Sequence, residues 1–412
     1  MNVKVNLNFF FDILFKENQE FYNNYKKNLE NCINANSKLV SEINNKTNPI
    51  MNSFGIEYQK KLKLKKEDVF ISKNKLIIGM GGSSAGSKAI NTYLQGNLFF
   101  FDNYDPRYLN NFFLSHDLNN FHIYIISKSG NTFETLAMTN LVYQHLITIS
   151  QEEKIIEKFT IIVEDCNTPL INFAKEKGIK TINHNNKIGG RYSVFSETTQ
   201  LLFDFDPNII ADSARAVISK LYNFNEKDHS SPIVNAAIVL TLQKFYNFRF
   251  NVNVLYNYLL KNYSYWFHQL FAESLGKNNF AMTPMTSICP KDHHSMMQLF
   301  LEGPKDKLFN IYPPEEHNYF NKFSKLGFNN IENKTPFDLL HSQYEALIKT
   351  FKNLKIPHRI ISYSQDPDKK VENLFELFSF NIIETIILGY AQDINPYDQP
   401  AVEQIKLNTF NS

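Results

Sequence analysis

Cysteine is scarce in this sequence of 412 residues, and its three copies lie far apart. Cys32, Cys166 and Cys289 form no Cys-x-x-Cys pair, and their number is odd. A disulfide framework needs paired cysteines, and a structural zinc site needs closely spaced ligands. We therefore expect neither of these, and we expect a reducing compartment, with the cytoplasm as the default location.

Net charge and long apolar runs are also lacking. The 43 basic residues nearly balance 41 acidic ones, which leaves a formal charge of +2. This balance gives no reason to expect a nucleic acid or an anionic membrane as the main partner. No apolar stretch approaches the ~20 residues that span a bilayer. Asp12 also interrupts the apolar residues at 9–11, and no cleavage-site pattern follows.

Strand and helix patterns alternate after an N-terminal helical segment, which is typical of parallel sheets with helices on both faces. Apolar runs typical of buried strands occupy residues 76–78, 123–126, 160–163, 252–255 and 359–363. Helical periodicity lies at 233–245, 264–275, 336–354 and 371–388. We predict an α/β protein with an N-terminal helical layer over residues 1–70, a first domain over 71–204, a second over 205–390 and a C-terminal segment over 391–412.

A glycine turn, Gly79–Gly86, follows the first predicted strand and opens a helix. Backbone N–H groups at such a turn can bind an anion. The spacing fits no nucleotide motif, because a dinucleotide fingerprint needs glycine where Ser84 stands and a Walker A loop needs lysine where Ser87 stands. Glycine also serves tight turns for geometry alone, so anion binding and a purely structural turn both stay open.

A second turn, Ser127–Thr135, is rich in hydroxyl groups and lies between an apolar run and a helical pattern. It places hydroxyl donors and a positive charge beside the unpaired N–H groups of a helix start, a combination that fits a phosphate. The side chains are those of Ser127, Lys128, Ser129, Thr132 and Thr135. Serine and threonine could instead cap the helix. We favour phosphate because both turns follow strands, at the edge where open α/β sheets bind ligands.

Four further segments complete a series of six blocks along the chain: Gly189–Ser196, Glu273–Lys277, His294–Gln298 and Asp398–Lys406. In this order the blocks resemble the glucose-6-phosphate isomerase family, in its short bacterial form, over residues 76 to 406. The chain departs from the family at Leu275, at Lys291–His293, and at Ala401 and Ile405. The resemblance implies two sugar-isomerase-type (SIS) domains, a cytoplasmic homodimer and a metal-independent, cofactor-free conversion of glucose 6-phosphate to fructose 6-phosphate in glycolysis and gluconeogenesis.

The resemblance also implies roles for single residues. Glu273 is the expected base, which moves a proton between C2 and C1 through an enediolate, and Arg191 is the expected cation beside the developing negative charge. His294 is expected to open the sugar ring from the partner subunit, and Lys406 to assist it. The expected substrate-binding residues are Gly82, Ser83, Ser127, Lys128, Ser129, Thr132 and Gln399.

The residues alone leave ordinary alternatives open. Glu273 could be a solvated surface charge, and Arg191 could belong to a surface ion pair. Arg191 is nevertheless one of only five arginines in a lysine-rich chain, which favours a specific use of its guanidinium group. The adjacent His293 and His294 could suggest a metal site, although no matching carboxylate spacing supports one.

Two other functions compete with the isomerase. A sugar-phosphate-binding regulator or aminosugar-phosphate enzyme with SIS-type domains would keep the loop Ser127–Thr132, but it would not need Glu273, His294 and Lys406 together. A nucleotide-dependent oxidoreductase fails on the glycine spacing. We therefore expect an aldose–ketose isomerase.

Overall fold

The computed structural model describes residues 1–67, 74–164, 167–316, 320–324, 326 and 330–402. The chain forms two compact units. The central unit is Glu42–Arg215, and the terminal unit combines Met1–Ser41 with Ala216–Ser412. The stretch that we predicted as one N-terminal layer, residues 1–70, is therefore shared between the two units.

Ten strands are described. They are β1 (Lys4–Asn6), β2 (Asn74–Ile78), β3 (Leu98–Phe101), β4 (Phe121–Ile126), β5 (Phe159–Val163), β6 (Lys180–Asn183), β7 (Phe250–Leu255), β8 (Thr283–Ile288), β9 (Lys307–Tyr312) and β10 (His358–Ser362).

Sixteen α-helices are described, some of them a single turn. They are α1 (Phe15–Glu17), α2 (Gln19–Asn44), α3 (Pro49–Ser53), α4 (Ile56–Glu67), α5 (Gly82–Tyr93), α6 (Pro106–Ser115), α7 (Phe133–Ile149), α8 (Glu152–Ile156), α9 (Pro169–Lys177), α10 (Glu197–Gln200), α11 (Pro207–Tyr222), α12 (Pro232–Tyr246), α13 (Lys261–Leu275), α14 (Met297–Glu302), α15 (Pro336–Asn353) and α16 (Lys370–Ala391).

The sheet of the central unit is parallel throughout and has the order β3-β2-β4-β5-β6. Leu76 of β2 lies opposite Phe99 of β3 on one side and Ile123 of β4 on the other. The strand order therefore reverses between β2 and β4. Open α/β sheets bind ligands at the carboxyl ends of strands beside such a reversal, and both predicted turns begin at these two strand ends.

Both faces of this sheet are buried, which is why its strands read as continuous apolar runs. Side chains such as Leu76, Ile123 and Ile161 pack on one face with α6, α7 and α9. Ile77 and Tyr124, which point the other way, pack with a second cluster that contains residues 201 and 202.

The sheet of the terminal unit has the order β1-β10-β9-β7-β8, with β1 antiparallel to β10 and the other pairs parallel. One face is apolar, since Val252, Val254 and Ile311 pack against α15 through Leu347 and Phe351. With both sheets in hand, the predicted α/β class with helix-flanked parallel sheets is confirmed.

Helix α16 belongs to the buried core of the terminal unit. The segment Pro367–Ala391 is long and apolar enough to cross a membrane by length and composition alone, and 89% of its most apolar window is buried inside the protein. The sequence analysis predicted a helix at 371–388 but found no apolar run of membrane-spanning length, because the glutamates at 372, 376 and 384 interrupt it. Its burial identifies it as a core helix.

Candidate active site

The hydroxyl loop, residues 127–132, connects β4 to α7 in the central unit. The Ser127 N–H donates to the Ile162 carbonyl at 3.1 Å, which ties the start of the loop to β5. Ser127 Oγ and Thr132 Oγ1 lie 3.1 Å apart. The structure thus brings together two of the side chains that we predicted as phosphate ligands, at the start of a 17-residue helix.

The first turn of α7 bears on whether these hydroxyls cap the helix. Thr132 is the N-cap residue, yet its side chain makes no capping hydrogen bond. Its hydroxyl lies against Ser127 instead. The Thr132 side chain therefore does not cap α7, and the positive end of the helix dipole lies at the end of the hydroxyl loop.

The other loop residues differ in exposure. Ser129 is exposed and Lys128 half-buried, and Lys128 Nζ lies 3.6 Å from Glu164 Oε1. Thr135 lies in the first turn of α7 and is 1% exposed, and its Oγ1 has no hydrogen-bond partner among the described residues. Thr135 is thus the one predicted hydroxyl donor of this loop that is buried away from solvent without a described partner.

Gly130 is required by the shape of the hydroxyl loop. Its φ angle is +63°, in the region that favours glycine. A Cβ atom there would lie 2.3 Å from Thr168 Oγ1. The glycine therefore lets the loop pass close to the start of α9.

The glycine turn brings α5 against the Gly-Gly-Arg segment. A Cβ atom on Gly82 would lie 2.1 Å from the carbonyl carbon of Gly190 and 2.5 Å from the Arg191 nitrogen. Ser193 Oγ also donates to the Gly82 carbonyl at 3.3 Å. Close backbone approach explains this glycine, while anion binding by Gly82 and the half-buried Ser83 stays a prediction.

Arg191 lies in the 3₁₀ segment Gly190–Phe195 and is 1% exposed. Its guanidinium carbon lies 5.1 Å from the ring centre of Tyr192. Burial excludes the surface ion pair that the sequence left open. A fixed, buried guanidinium is the kind of group that stabilises a developing oxyanion.

In the terminal unit, Glu273 lies half-buried in the last turn of α13. Gln269 Nε2 donates to Glu273 Oε1 at 3.0 Å. The sequence analysis named Glu273 but missed Gln269, although its spacing of four residues on a helix could have indicated the contact. The hydrogen bond orients the carboxylate along the helix.

The two adjacent histidines have different surroundings. His293 is half-buried, and its Nε2 lies 2.6 Å from Tyr256 Oη. Burial lowers the pKa of His293, the neighbouring His294 lowers it further, and Asp292 raises it. His294 itself is exposed. His293 is thus hydrogen-bonded to Tyr256, whereas His294 lies at the surface.

The C-terminal segment is attached to the end of α13. Lys277 Nζ lies 2.8 Å from Asp398 Oδ1 and donates to the Ser274 carbonyl at 3.0 Å. This ion pair links two of the six sequence blocks, and it was missed because no local pattern connects residues so far apart. Gln399 follows the pair and is exposed, while Lys406 lies outside the described residues.

The sequence profile of the family described as Phosphoglucose isomerase matches residues 36–287 of this chain. The chain belongs to the phosphoglucose isomerase family. The match spans the two turns of the central unit, the Gly-Gly-Arg segment and Glu273. It ends before His294, Gln399 and Lys406.

Curated relatives agree with this phosphoglucose isomerase assignment. A glucose-6-phosphate isomerase of Methanocaldococcus jannaschii is 28% identical over 342 residues, which cover 81% of this chain and 82% of the relative. A glucose-6-phosphate isomerase of Campylobacter jejuni is 28% identical over 373 residues, covering 82% of this chain and 86% of the relative.

Solved structures share the fold. A hypothetical protein of Thermus thermophilus superposes with a TM-score of 0.83 and 23% identity, over 99% of both chains. A glucose-6-phosphate isomerase of Chlamydia trachomatis superposes with a TM-score of 0.70 and 19% identity, over 88% of this chain and 73% of the other. The phosphoglucose isomerase fold therefore extends over most of the chain.

Proposed function

We propose that this chain reversibly converts glucose 6-phosphate to fructose 6-phosphate through an enediolate, as a cytoplasmic enzyme of glycolysis and gluconeogenesis. The observation that carries the proposal is family membership, together with curated relatives that are named glucose-6-phosphate isomerase. The geometry supports it, because the hydroxyl loop lies at a helix start whose N-cap residue, Thr132, makes no capping hydrogen bond with its side chain. Such a site suits the phosphate of the substrate.

The central unit supplies the groups for the phosphate and the negative charge. Ser127, Lys128, Ser129 and Thr132 would bind the phosphate, with the backbone of Gly82 and Ser83 in the neighbouring turn. Hydroxyl and N–H donors bind phosphate oxygens well because hydrogen bonds to charged groups are about twice as strong as neutral ones. Arg191 would stabilise the enediolate, since a buried guanidinium carries a permanent positive charge.

The terminal unit supplies the proton chemistry. Glu273 takes the proton from C2 and returns it to C1, and its hydrogen bond from Gln269 supports this by holding the carboxylate in one orientation. His294 and Lys406 act on the ring oxygen and hydroxyls during ring opening, and Gln399 binds the substrate. An imidazole suits ring opening because it gains and loses a proton near neutral pH.

The decisive experiment is a coupled assay of purified wild type and Glu273→Gln, with and without a chelator. Loss of a general base lowers turnover by about 10²- to 10⁴-fold, and we expect KM to change little. Glu302→Gln is a matched control, because Gln298 Nε2 donates to Glu302 Oε2 at 2.6 Å in the same four-residue spacing. Full turnover of Glu273→Gln would overturn the base, and loss of activity on chelation would contradict a metal-independent reaction.

We also propose that the protein is a homodimer in which His294 serves the partner's active site. The exposure of His294 supports this arrangement. Mixing inactive Glu273→Gln and His294→Ala subunits would create one intact site in each mixed dimer. We expect recovery of about a quarter of wild-type turnover after subunit exchange. No recovery in a mixture that has exchanged subunits would place His294 and Glu273 in the same subunit's site.

A further inference from the structure

The second face of the terminal sheet is polar although it is buried. Asn251, Asn253, Asn310 and Arg359 lie on β7, β9 and β10, and each is at most 1% exposed. Their neighbours along the strands, such as Val252, are apolar and face α15. Burying polar groups costs free energy unless every one is hydrogen-bonded, so a run of them across one sheet face calls for an explanation.

These side chains form a continuous line of hydrogen bonds across the strands. Arg359 pairs with both carboxylate oxygens of Glu384 on α16. Arg359 Nε donates to Asn310 Oδ1 at 2.6 Å, and Asn310 Nδ2 donates to Asn253 Oδ1 at 2.8 Å. Strand register aligns them, since Arg359 lies opposite Asn310 and Asn310 opposite Asn253.

The line continues onto α13, the helix that carries Glu273. Asn253 Nδ2 donates to Ser264 Oγ at 2.9 Å. Ser264 Oγ lies 2.6 Å from Thr286 Oγ1, which lies 2.8 Å from His268 Nε2. Ser264 and His268 are one turn apart on α13, so the helix is attached at two points to Thr286 of β8. We call the line from Arg359 to His268 the polar ladder.

The amide part of the polar ladder has a fixed direction, because a guanidinium group can only donate, so the donation passes from Asn310 to Asn253 and from Asn253 to Ser264. In the bond between Ser264 and Thr286, either hydroxyl can be the donor. The direction that continues the ladder makes His268 Nε2 the last acceptor, in a neutral ring with its proton on Nδ1. Burial lowers the pKa of His268, and a backbone contact with Met285 offsets this in part. The neutral ring is consistent with the direction of the ladder.

We propose that the polar ladder positions α13, so that Glu273 is held where it can exchange the substrate proton. The proposal rests on the proposed function, in which Glu273 is the base. His268 and Gln269 are adjacent, and Gln269 donates to Glu273. Every step of the polar ladder from Arg359 to His268 is a hydrogen bond, and satisfied polar networks rigidify and specify one arrangement. Thr286 and His268 are thus positioning residues for the reaction.

The test compares Thr286→Val with Thr286→Ser. Valine keeps the shape but removes the hydroxyl that joins Ser264 to His268, whereas serine keeps it. Small misplacements of reacting groups cost up to about 10²-fold in rate, so we expect kcat of Thr286→Val to fall about tenfold with KM within twofold of wild type. Thr286→Ser should restore kcat.

A matched control is Thr241→Val. Thr241 is fully buried in the same unit, and its hydroxyl is hydrogen-bonded to Asn28 and the Ala237 carbonyl, away from the polar ladder. We expect its kcat to be unchanged. If the wild type is active and Thr286→Val has the same kcat, the positioning role is wrong. It is also wrong if Thr241→Val loses as much kcat as Thr286→Val. A wild type without isomerase activity would instead overturn the proposed function.

A second readout does not depend on activity. Nitrogen-15 NMR of histidine-labelled protein, with the His268 signals assigned from His268→Gln, reports which ring nitrogen carries the proton. We expect an unprotonated Nε2 in wild type and a shift of its resonance in Thr286→Val. A proton on Nε2 in wild type would contradict the direction of the polar ladder.

Discussion

The two sheets share one strand order but differ in the loops that follow the carboxyl ends of their strands, where open α/β sheets bind ligands. We call these strand ends the central edge in the central unit and the terminal edge in the terminal unit. In the central unit the order is β3-β2-β4-β5, and in the terminal unit the parallel strands follow the same pattern, β8-β7-β9-β10. In the central unit, the strands beside the reversal lead into a glycine turn and a hydroxyl loop. In the terminal unit the corresponding strands lead into Tyr256–Asn257 and Pro313–Glu316.

At the terminal edge, side chains of the protein occupy the space beyond the strand ends and pair with one another. Asn257 Nδ2 donates to Glu315 Oε2 and to the Tyr363 hydroxyl, both at 2.9 Å. Glu315 also lies 3.0 Å from Lys370 Nζ. Two prolines remove N–H donors and the carboxylates repel an anion. Both units therefore have strand ends beside a reversal of strand order. The residues of the loops that follow these strands determine whether phosphate can bind there.

The largest expected effect tests how closely the glycine turn packs against the Gly-Gly-Arg segment at the central edge. Gly82→Ala places a Cβ against the backbone of Gly190 and Arg191, neither of which can move without shifting its segment. We expect a loss of more than about 4 kcal/mol in the free energy of unfolding, measured by urea denaturation.

The matched control for this prediction is Gly189→Ala. Its nearest neighbour would be a ring atom of Tyr192 at 3.7 Å, and its φ angle of −67° suits alanine. We expect a change within about 0.5 kcal/mol. Equal stability of Gly82→Ala and Gly189→Ala would show that the glycine turn and the Gly-Gly-Arg segment do not pack as described.

The second prediction tests whether the central edge binds phosphate through its hydroxyls. Thr132→Val removes one hydroxyl and keeps the shape. Hydrogen bonds to charged groups contribute about 1.5–3 kcal/mol, so we expect the Kd of inorganic phosphate to rise at least about tenfold by calorimetry. Thr139→Val on α7 is the control, because its hydroxyl donates to the Thr135 carbonyl at 2.7 Å. Equal affinities of the two variants would remove Thr132 from the site.

The local features of the central edge could be predicted from sequence because each lies within a few residues. Ser127 and Thr132 belong to one turn, and the strand before them is a continuous apolar run. The same holds for the helix predicted at 336–354, which is α15, and whose start is fixed by a local capping box of Thr335 and Asp338. These features depend on local sequence, so spacing and residue type were enough.

Features that join distant segments could not be predicted in the same way. The ion pair of Lys277 with Asp398 depends on the fold, and so does the different burial of His293 and His294. The strand β8, Thr283–Ile288, was missed because its exposed and half-buried positions include few apolar residues. The sequence predicted a strand at 252–255, but it could not show that Asn253 of this strand lies opposite Asn310 of β9.

The third prediction tests whether the hydrogen bonds of Asn257 at the terminal edge stabilise the fold and have no part in phosphate binding. Asn257→Ala removes the donor to Glu315 and Tyr363, and an unsatisfied buried group costs about 1–3 kcal/mol. We expect that loss in urea denaturation, with phosphate affinity unchanged. Asn131→Ala, at an exposed position of the hydroxyl loop, should change stability by less than about 0.5 kcal/mol. Weaker phosphate binding by Asn257→Ala would contradict the contrast between the two edges.

The smallest expected effect compares one buried glutamate from each unit. Burial raises the pKa of Glu197 in the central unit, but hydrogen bonds from His184 and its own backbone, with the charge of Lys65, bring the net pKa below 4.5. Burial raises the pKa of Glu376 in the terminal unit, and the N–H groups of Val3 and Asn2 offset this only in part, so its net pKa is raised.

The two shifts predict opposite pH dependence. The stability that Glu197 contributes is present above pH 4.5, its unfolded pKa, and is lost as the pH falls through the lower folded pKa. That of Glu376 is present below 4.5 and is lost as the pH rises through the higher folded pKa. Urea denaturation from pH 3 to pH 8 should therefore show the deficit of Glu197→Gln shrinking toward low pH and that of Glu376→Gln shrinking toward high pH. We expect changes of about 1 kcal/mol; parallel pH dependence of the two variants would mean that the carboxylates are not held by these different partners.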